Sequence, residues 1–299
     1  MKRLLAALLI ALATAPAASF AQKLYAASVR NLTEGGAESI GGSLYAVVPT
    51  TGVSTFVAPI QLEGGVPLGI TGLAAHPLSG VLYGITSPLS RSNPLSLVTI
   101  SPLTGDAKMV GHLGVMGSDI AFSRGGTLFI WLPETSQIGV VNLDTGAATP
   151  IGTPRSAGSP AGLAIDDETR VFITLKGASG TLDTIDIATG AVTPGPAMKG
   201  APFDTLINSM TFTPEGKLIA VNSNGGSPSN AKLVSIDTAT GAVTTLGNMP
   251  DDTDGLTFAS PVTPEASVPV NWRNVALISL LLLGVALAGF AWAMGRKAA

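Results

Sequence analysis

Five Thr-Gly pairs fall between strand-like runs at a regular interval: Thr51-Gly52, Thr104-Gly105, Thr145-Gly146, Thr189-Gly190 and Thr240-Gly241. Each joins two short apolar runs, and glycine at the second position supplies the positive φ that a tight hairpin needs. A second series keeps step with the first. The segments GLAAH, DIAFS, GLAID, SMTFT and GLTFA begin at Gly72, Asp119, Gly162, Ser209 and Gly255, with spacings of 47, 43, 47 and 46 residues. After the first four come VLYGIT, TLFIWL, RVFITL and KLIAVN, each introduced by a turn segment (PLSG, SRGG, DDET, TPEG) of the composition that tight turns favour. Ile70 to Gly114 shows one whole unit: four apolar runs bounded by Gly, Pro, Ser, Asn or Asp, none long enough for an ordinary helix. The unit is a four-stranded antiparallel meander, repeated at the period of a propeller blade.

The ends of the repeat region constrain the fold further. Leu24 to Ile60 supplies LYAASV, SLYAVV and STFVAPI, which match second, third and fourth strands and lack a first. Gly255 to Ala259 supplies a first strand with nothing after it. Joined, they make one unit, and a ring sealed this way has no exposed edge. An open β-solenoid or two stacked sandwiches would not require complementary ends. The expectation is an all-β chain: a five-bladed β-propeller over residues 22–260, closed by a C-terminal strand, with Glu34 to Gly42 as the stretch most able to disguise an irregular blade. The 36 Gly and 21 Pro fit a turn-rich β-protein. With no cysteine, packing and β-ladders alone must hold it.

The two termini read differently. Met1 to Ala21 carries two cations, an apolar stretch from Leu4 to Ala13 and Ser19-Phe20-Ala21, the pattern of a signal peptide cut before Gln22; a retained anchor is the alternative. Residues 261–274 form a Pro-rich tether, extended for want of anything to bury. Val275 to Met294 is twenty residues without a charge, enough at about 1.5 Å per residue to cross a hydrocarbon core of roughly 30 Å. A buried core helix is the competing reading. Residues 295–299 include Arg296 and Lys297, which belong on the cytoplasmic side. The expected location is outside the inner membrane, anchored to it and facing the periplasm. A net charge of −3 without a basic stripe argues against nucleic acid as a partner.

The tail resembles the C-terminal sorting signals of bacterial exosortase substrates, which combine a short Pro-containing motif, one membrane helix and a basic terminus. Val268-Pro269-Val270-Asn271-Trp272 is similar to the version that carries Ile-Pro-Thr-Leu and a downstream Trp, with Val268 in place of Ile and Val270-Asn271 in place of Thr-Leu. Pro264-Glu265-Ala266 departs from the version that carries Pro-Glu-Pro. The resemblance covers about the last thirty residues. It implies a Gram-negative envelope protein, held in the inner membrane by its C-terminal helix, with Val268, Pro269, Asn271 and Trp272 as the sorting motif. An exosortase-type processing enzyme would then cut it and pass it to the cell surface or matrix.

Catalytic chemistry is sparse. His76 and His112 are the only histidines, both in the second unit, where structural roles are expected of them; His-based triads and His-rich metal sites lack partners. The positions at or just before the first strands are Thr71, Ser118 with Asp119, Ala161, Asn208 with Ser209, and Asp254. In a propeller these lie at one mouth of the central channel. Thr71, Asp119, Asn208 and Asp254 are therefore the candidate ligand residues, their oxygens suited to Ca²⁺ or to sugar hydroxyls; capping of turns and backbone donors is the plainer use. Asp251-Asp252-Thr253-Asp254 lacks EF-hand spacing. Asp166-Asp167-Glu168 reads as an exposed turn, Asn31-Leu32-Thr33 as an unused glycosylation pattern, and Asn224-Gly225-Gly226 as a loop. Two functions follow. One is a non-enzymatic binding or structural module that contacts polysaccharide or a surface protein, with no cofactor beyond a candidate calcium. The other is a propeller-type hydrolase or lactonase using Asp119 and Asp254.

Overall fold

Thr253–Ala259 lies against Lys23–Ser28 in an antiparallel ladder, with Leu24 opposite Phe258, Ala26 opposite Leu256 and Ala27 opposite Gly255. The ends of the repeat region meet, as their complementarity predicts. A computed structural model describes residues 22–29, 31–32, 38–39, 41–90, 92–226 and 229–259. Ser43–Val47 and Ser54–Pro59 complete the first blade outside this ladder. From the axis outward, the second blade holds Ile70–Ala75, Leu82–Thr86, Ser96–Ile100 and Asp106–His112. The third holds Ile120–Phe122, Leu128–Leu132, Gln137–Val141 and Ala148–Pro150; the fourth holds Leu163–Ile165, Val171–Ile173, Asp183–Ile185 and Val192–Thr193. Leu206–Phe212, Leu218–Ser223, Ala231–Ile236 and Val243–Met249 form the fifth. The protein is a five-bladed β-propeller.

Two features depart from the simple repeat. Gln61–Leu62 and Val66–Pro67 pair with each other, and Gln61 pairs in parallel with Asp106, adding a small hairpin to the outer side of the second blade. Asn31–Leu32 and Glu38–Ser39 form a two-residue ladder inside a loop, not an extra blade. The expected leader Met1–Ala21, the expected tether, Val268, Pro269, Asn271 and Trp272, and the apolar span Val275–Met294 lie outside the described residues. Among the described residues no helix is long and apolar enough to cross a membrane.

Strand periodicity explains why the ring holds. Successive side chains point to opposite faces of a blade, so each strand feeds two interfaces. Tyr25 and Ala27 pack towards the second blade with Ile70, Leu73 and Leu82, whereas Leu24 and Ala26 pack towards the fifth with Ile219, Val221 and Leu233. Ile120, Leu128 and Ile130 meet the second blade; Phe129 and Trp131 meet the fourth. The remaining cluster joins Phe172 and Leu182 to Met210, Leu218 and Val234. Five blades in an open row have four interfaces; the fifth cluster, on Leu24 and Leu256, is the closure itself.

The Thr-Gly loops form a second belt. In each, the glycine N–H donates to the carbonyl four residues earlier, from Gly52 to Val48, Gly105 to Ser101, Gly146 to Asn142, Gly190 to Asp186 and Gly241 to Asp237. All five glycines have positive φ, and each lies against the segment that ends the preceding blade. Gly146 shows both constraints: its φ is +78°, and a Cβ there would sit 2.5 Å from the carbonyl carbon and oxygen of Gly111. Gly216 has a matching φ of +79° with nothing within 4 Å. Gly216→Ala should therefore cost only the backbone term, about 1–2 kcal/mol. Gly146→Ala should cost at least twice that, because the neighbouring blade must move. Denaturant unfolding of the two variants checks this, and equal losses would mean that the belt does not bear on stability.

Candidate functional site

The axis of the ring poses a hydrogen-bonding problem. Each innermost strand is an edge, and alternate backbone N–H groups point into the channel, where an unmet donor is costly. The ladder pairings fix which ones. Ser123 bonds Thr127, Asp166 bonds Arg170 and Thr213 bonds Lys217 across their turns, so Ile120, Leu163 and Met210 turn their N–H groups inward, as do Phe122, Ile165 and Phe212 two residues on.

Asp119 answers the first of these layers. It is fully buried, and its Oδ2 accepts from the N–H of Leu163 (2.8 Å) and of Met210 (3.3 Å). Its Oδ1 accepts from Ile120 N–H (2.9 Å) and Ser209 Oγ (3.1 Å). Ser209 Oγ in turn accepts from Leu256 N–H (3.1 Å). One carboxylate and one hydroxyl thus bond four of the five innermost strands to one another. The aligned positions on the other blades are Gly72, Gly162 and Gly255, which lets the innermost strands approach closely; a Cβ on Gly72 would lie 3.0 Å from Asp119 Cα, and one on Gly255 2.7 Å from Leu73 Cβ. Burial pushes the Asp119 carboxyl well above the ordinary carboxylate range, against the pull of its four donors.

Call the face where innermost strands begin the leading face. Thr71, Asn208 and Asp254 come together there, around a cavity of about 220 Å³ with Met116, Leu89 and Pro160 among its apolar walls. Thr71 Oγ1 donates to Asp254 Oδ2 (2.7 Å), joining the second blade to the first. Asn208 Nδ2 donates to the Thr253 carbonyl (3.3 Å), and its Oδ1 accepts from Ser223 Oγ (2.9 Å). Ser118 lines the same cavity but spends its hydroxyl on the backbone of Ala161. Asp119, expected beside them, lies one layer below with both oxygens turned to donors. A carboxylate so enclosed offers nothing to a cation or a substrate. His76 and His112 are elsewhere: the His76 ring stacks edge-on with Phe122 and accepts from Ser79 N–H, and His112 Nδ1 bonds Ser96 Oγ. Among the described residues no group of three or more His, Asp or Glu is placed to hold a metal.

Backbone strain marks the same face. Five described non-glycine residues have left-handed φ, and Asn93, Leu95, Ser136 and Asp252 of them lie in its loops. Each such residue costs on the order of 1–3 kcal/mol and tends to persist where function holds it. The sequence signal that was available for the axis is the aligned column Gly72, Asp119, Gly162, Ser209, Gly255: three positions without side chains facing two with hydrogen-bonding groups.

No protein-family model matches the chain, and no curated protein sequence does. Solved structures do. A chain from a nidogen/laminin complex aligns over 80% of this protein and 98% of its own length, with TM-score 0.50 and 14% identity. A protein of unknown function from Bacteroides caccae aligns over 80% and 99% at TM-score 0.47 and 12% identity. One from Bacteroides thetaiotaomicron aligns over 60% of this chain, which spans 50% of that structure, at TM-score 0.43 and 14% identity. The likeness is of fold alone.

Proposed function

We infer that the protein is a non-enzymatic binding module, exported and held at the cell envelope by its C-terminal segment, that contacts polysaccharide or another surface protein through its leading face. The observation that carries this reading is the fate of the two carboxylates. A propeller hydrolase would need Asp119 and Asp254 to work as a pair on a substrate. Asp119 is enclosed by four donors. What remains at the mouth is a hydroxyl, an amide and a single carboxylate between apolar walls, which suits recognition by hydrogen bonds and contact rather than bond cleavage. Fold supports binding and catalysis equally, so the reading rests on the site. The signal peptide, the apolar span and the resemblance of Val268-Pro269-Val270-Asn271-Trp272 to a sorting motif support the location.

The test uses protein recovered from its native envelope. Its mass should correspond to a chain that begins at Gln22, and to one cut near Pro269 if the tail is processed. Applied to envelope polysaccharides and surface extracts, it should retain a component that Asn208→Ala and Asp254→Asn each release about tenfold more readily. Retention of nothing, or retention indifferent to both changes, overturns the binding reading. Turnover of lactones or glycosides that these variants abolish would establish the enzyme instead.

A further inference from the structure

The opposite end of the axis holds a second feature that Asp119 helps to interpret. Beyond the Asp119 layer the channel opens into a pit of about 190 Å³, whose wall includes Ala75, Phe122, Ile165, Phe212 and Phe258. These residues follow Leu73, Ile120, Leu163, Met210 and Leu256 by two positions on the five innermost strands, so their N–H groups point to the axis as well. Ala75 N–H is taken by Thr257 Oγ1 (3.0 Å). Those of Phe122, Ile165, Phe212 and Phe258 converge on the pit from four blades.

We propose that this pit is a carboxylate-binding site, in which a small carboxylate accepts from the backbone N–H groups of Phe122, Ile165, Phe212 and Phe258. The chain supplies its own precedent. One layer higher, roughly 7 Å along the strands, a carboxylate already bridges the corresponding N–H groups of Ile120, Leu163 and Met210 at 2.8–3.3 Å. In that layer the strands are spaced about the axis so that one planar group with two acceptor oxygens reaches three of them. Converging backbone donors make an anion site without any cationic side chain. At the rim, Arg170 is shared between Asp166 (2.7 Å) and the exposed Glu168 (3.5 Å), while Arg124 and Asp167 contribute one charge of each sign. The site is independent of the leading face, and its occupant is a small carboxylate or the carboxylate end of a larger molecule.

Selective ¹⁵N-phenylalanine labelling of the full chain reads the site directly, because three of its nine phenylalanines carry the proposed donors. Titrated with acetate, the amides of Phe122, Phe212 and Phe258 should move together and saturate with Kd of roughly 1–10 mM. Phe129 and Phe172, whose N–H groups are committed to the ladders, should stay still. Arg124→Ala, at an exposed position, should weaken binding several-fold while leaving the unliganded spectrum intact. The proposal fails if the three amides show no saturable shift by about 100 mM acetate, or if chloride moves them equally at the same ionic strength. It also fails if phosphate binds and acetate does not, since the donors would then read charge and not a planar carboxylate.

Discussion

A chain shortened so that it ends before Thr253 is expected not to close, and to aggregate rather than fold as a monomer. The missing strand leaves Lys23–Ser28 as a bare edge, with Leu24, Tyr25, Ala26 and Ala27 uncovered although all four are buried in the whole protein. A long apolar edge of that kind is a template for pairing with other chains. The single substitution Leu256→Asp should act in the same direction, by placing a charge among Leu24, Val47, Ile219 and Leu233. Its cost is about 4 kcal/mol or more, a fall in Tm on the order of 10 °C for a domain of this size. What separates closure from generic damage is rescue in trans. A synthetic peptide of residues 250–262 should restore the shortened chain to a soluble, cooperatively unfolding monomer. A shortened chain that is already monomeric and cooperative would show that the ring does not depend on this strand.

Closure was legible in the sequence because it rests on strand type and count. Three strands at one end and one at the other leave a single completion, and backbone pairing then enforces it. The Thr-Gly loops were legible for the same local reason, since positive φ selects glycine wherever the loop recurs. The residues that begin these loops were less visible. Asp186 Oδ1 accepts from the N–H groups of Ala188 and Thr189, and Asp237 Oδ1 does so from Ala239 and Thr240; Asn142 serves likewise. Val48 has no such group, and so the pattern is broken in the first blade. The small hairpin at Gln61–Pro67 was missed because two-residue strands carry no periodicity. Its one mark was Gly64-Gly65, both at positive φ.

The axis was legible only in part. Thr71, Asn208 and Asp254 could be placed at a channel mouth by alignment of the repeats, and the cavity there contains all three. Asp119 stands one residue further along, in the column of Gly72, Gly162, Ser209 and Gly255, and its side chain is turned into a ring of N–H groups. The one-residue offset from Thr71, Asn208 and Asp254 marks a different side-chain direction, but what a buried carboxylate bonds to depends on strands that only the closed ring brings together. The room comes from close approach of the innermost strands at glycine: a Cβ on Gly72 would lie against Asp119, and one on Gly162 or Gly255 against Met210 or Leu73 of a neighbouring strand.

Asp119→Ala should be the most damaging small substitution in the ring's interior. It strands the N–H groups of Ile120, Leu163 and Met210 together with the Ser209 hydroxyl, each buried donor costing about 1–3 kcal/mol. Partial relief by an entering water leaves a net loss of roughly 3–5 kcal/mol. Asp119→Asn should lose less, about 1–3 kcal/mol, because its amide oxygen keeps two donors and only Ile120 N–H meets an amide nitrogen. The pH dependence identifies the group. The folded chain holds a proton on Asp119 more tightly than the unfolded chain does. Its stabilisation is therefore complete below the ordinary carboxylate range and is lost as pH rises through the raised pKa. Asp186 and Asp237, held below that range chiefly by the backbone N–H groups of Thr189 and Thr240, contribute in the opposite sense. Their stabilisation is present above the range and disappears as pH falls through their lowered pKa values. Urea midpoints of the parent protein should accordingly decline from mildly acidic pH towards higher pH. Asp119→Asn should abolish that decline and leave the acid limb unchanged. A decline that survives in the Asn variant, or a loss below about 1 kcal/mol in Asp119→Ala, would mean that the buried carboxylate does not hold the innermost strands together.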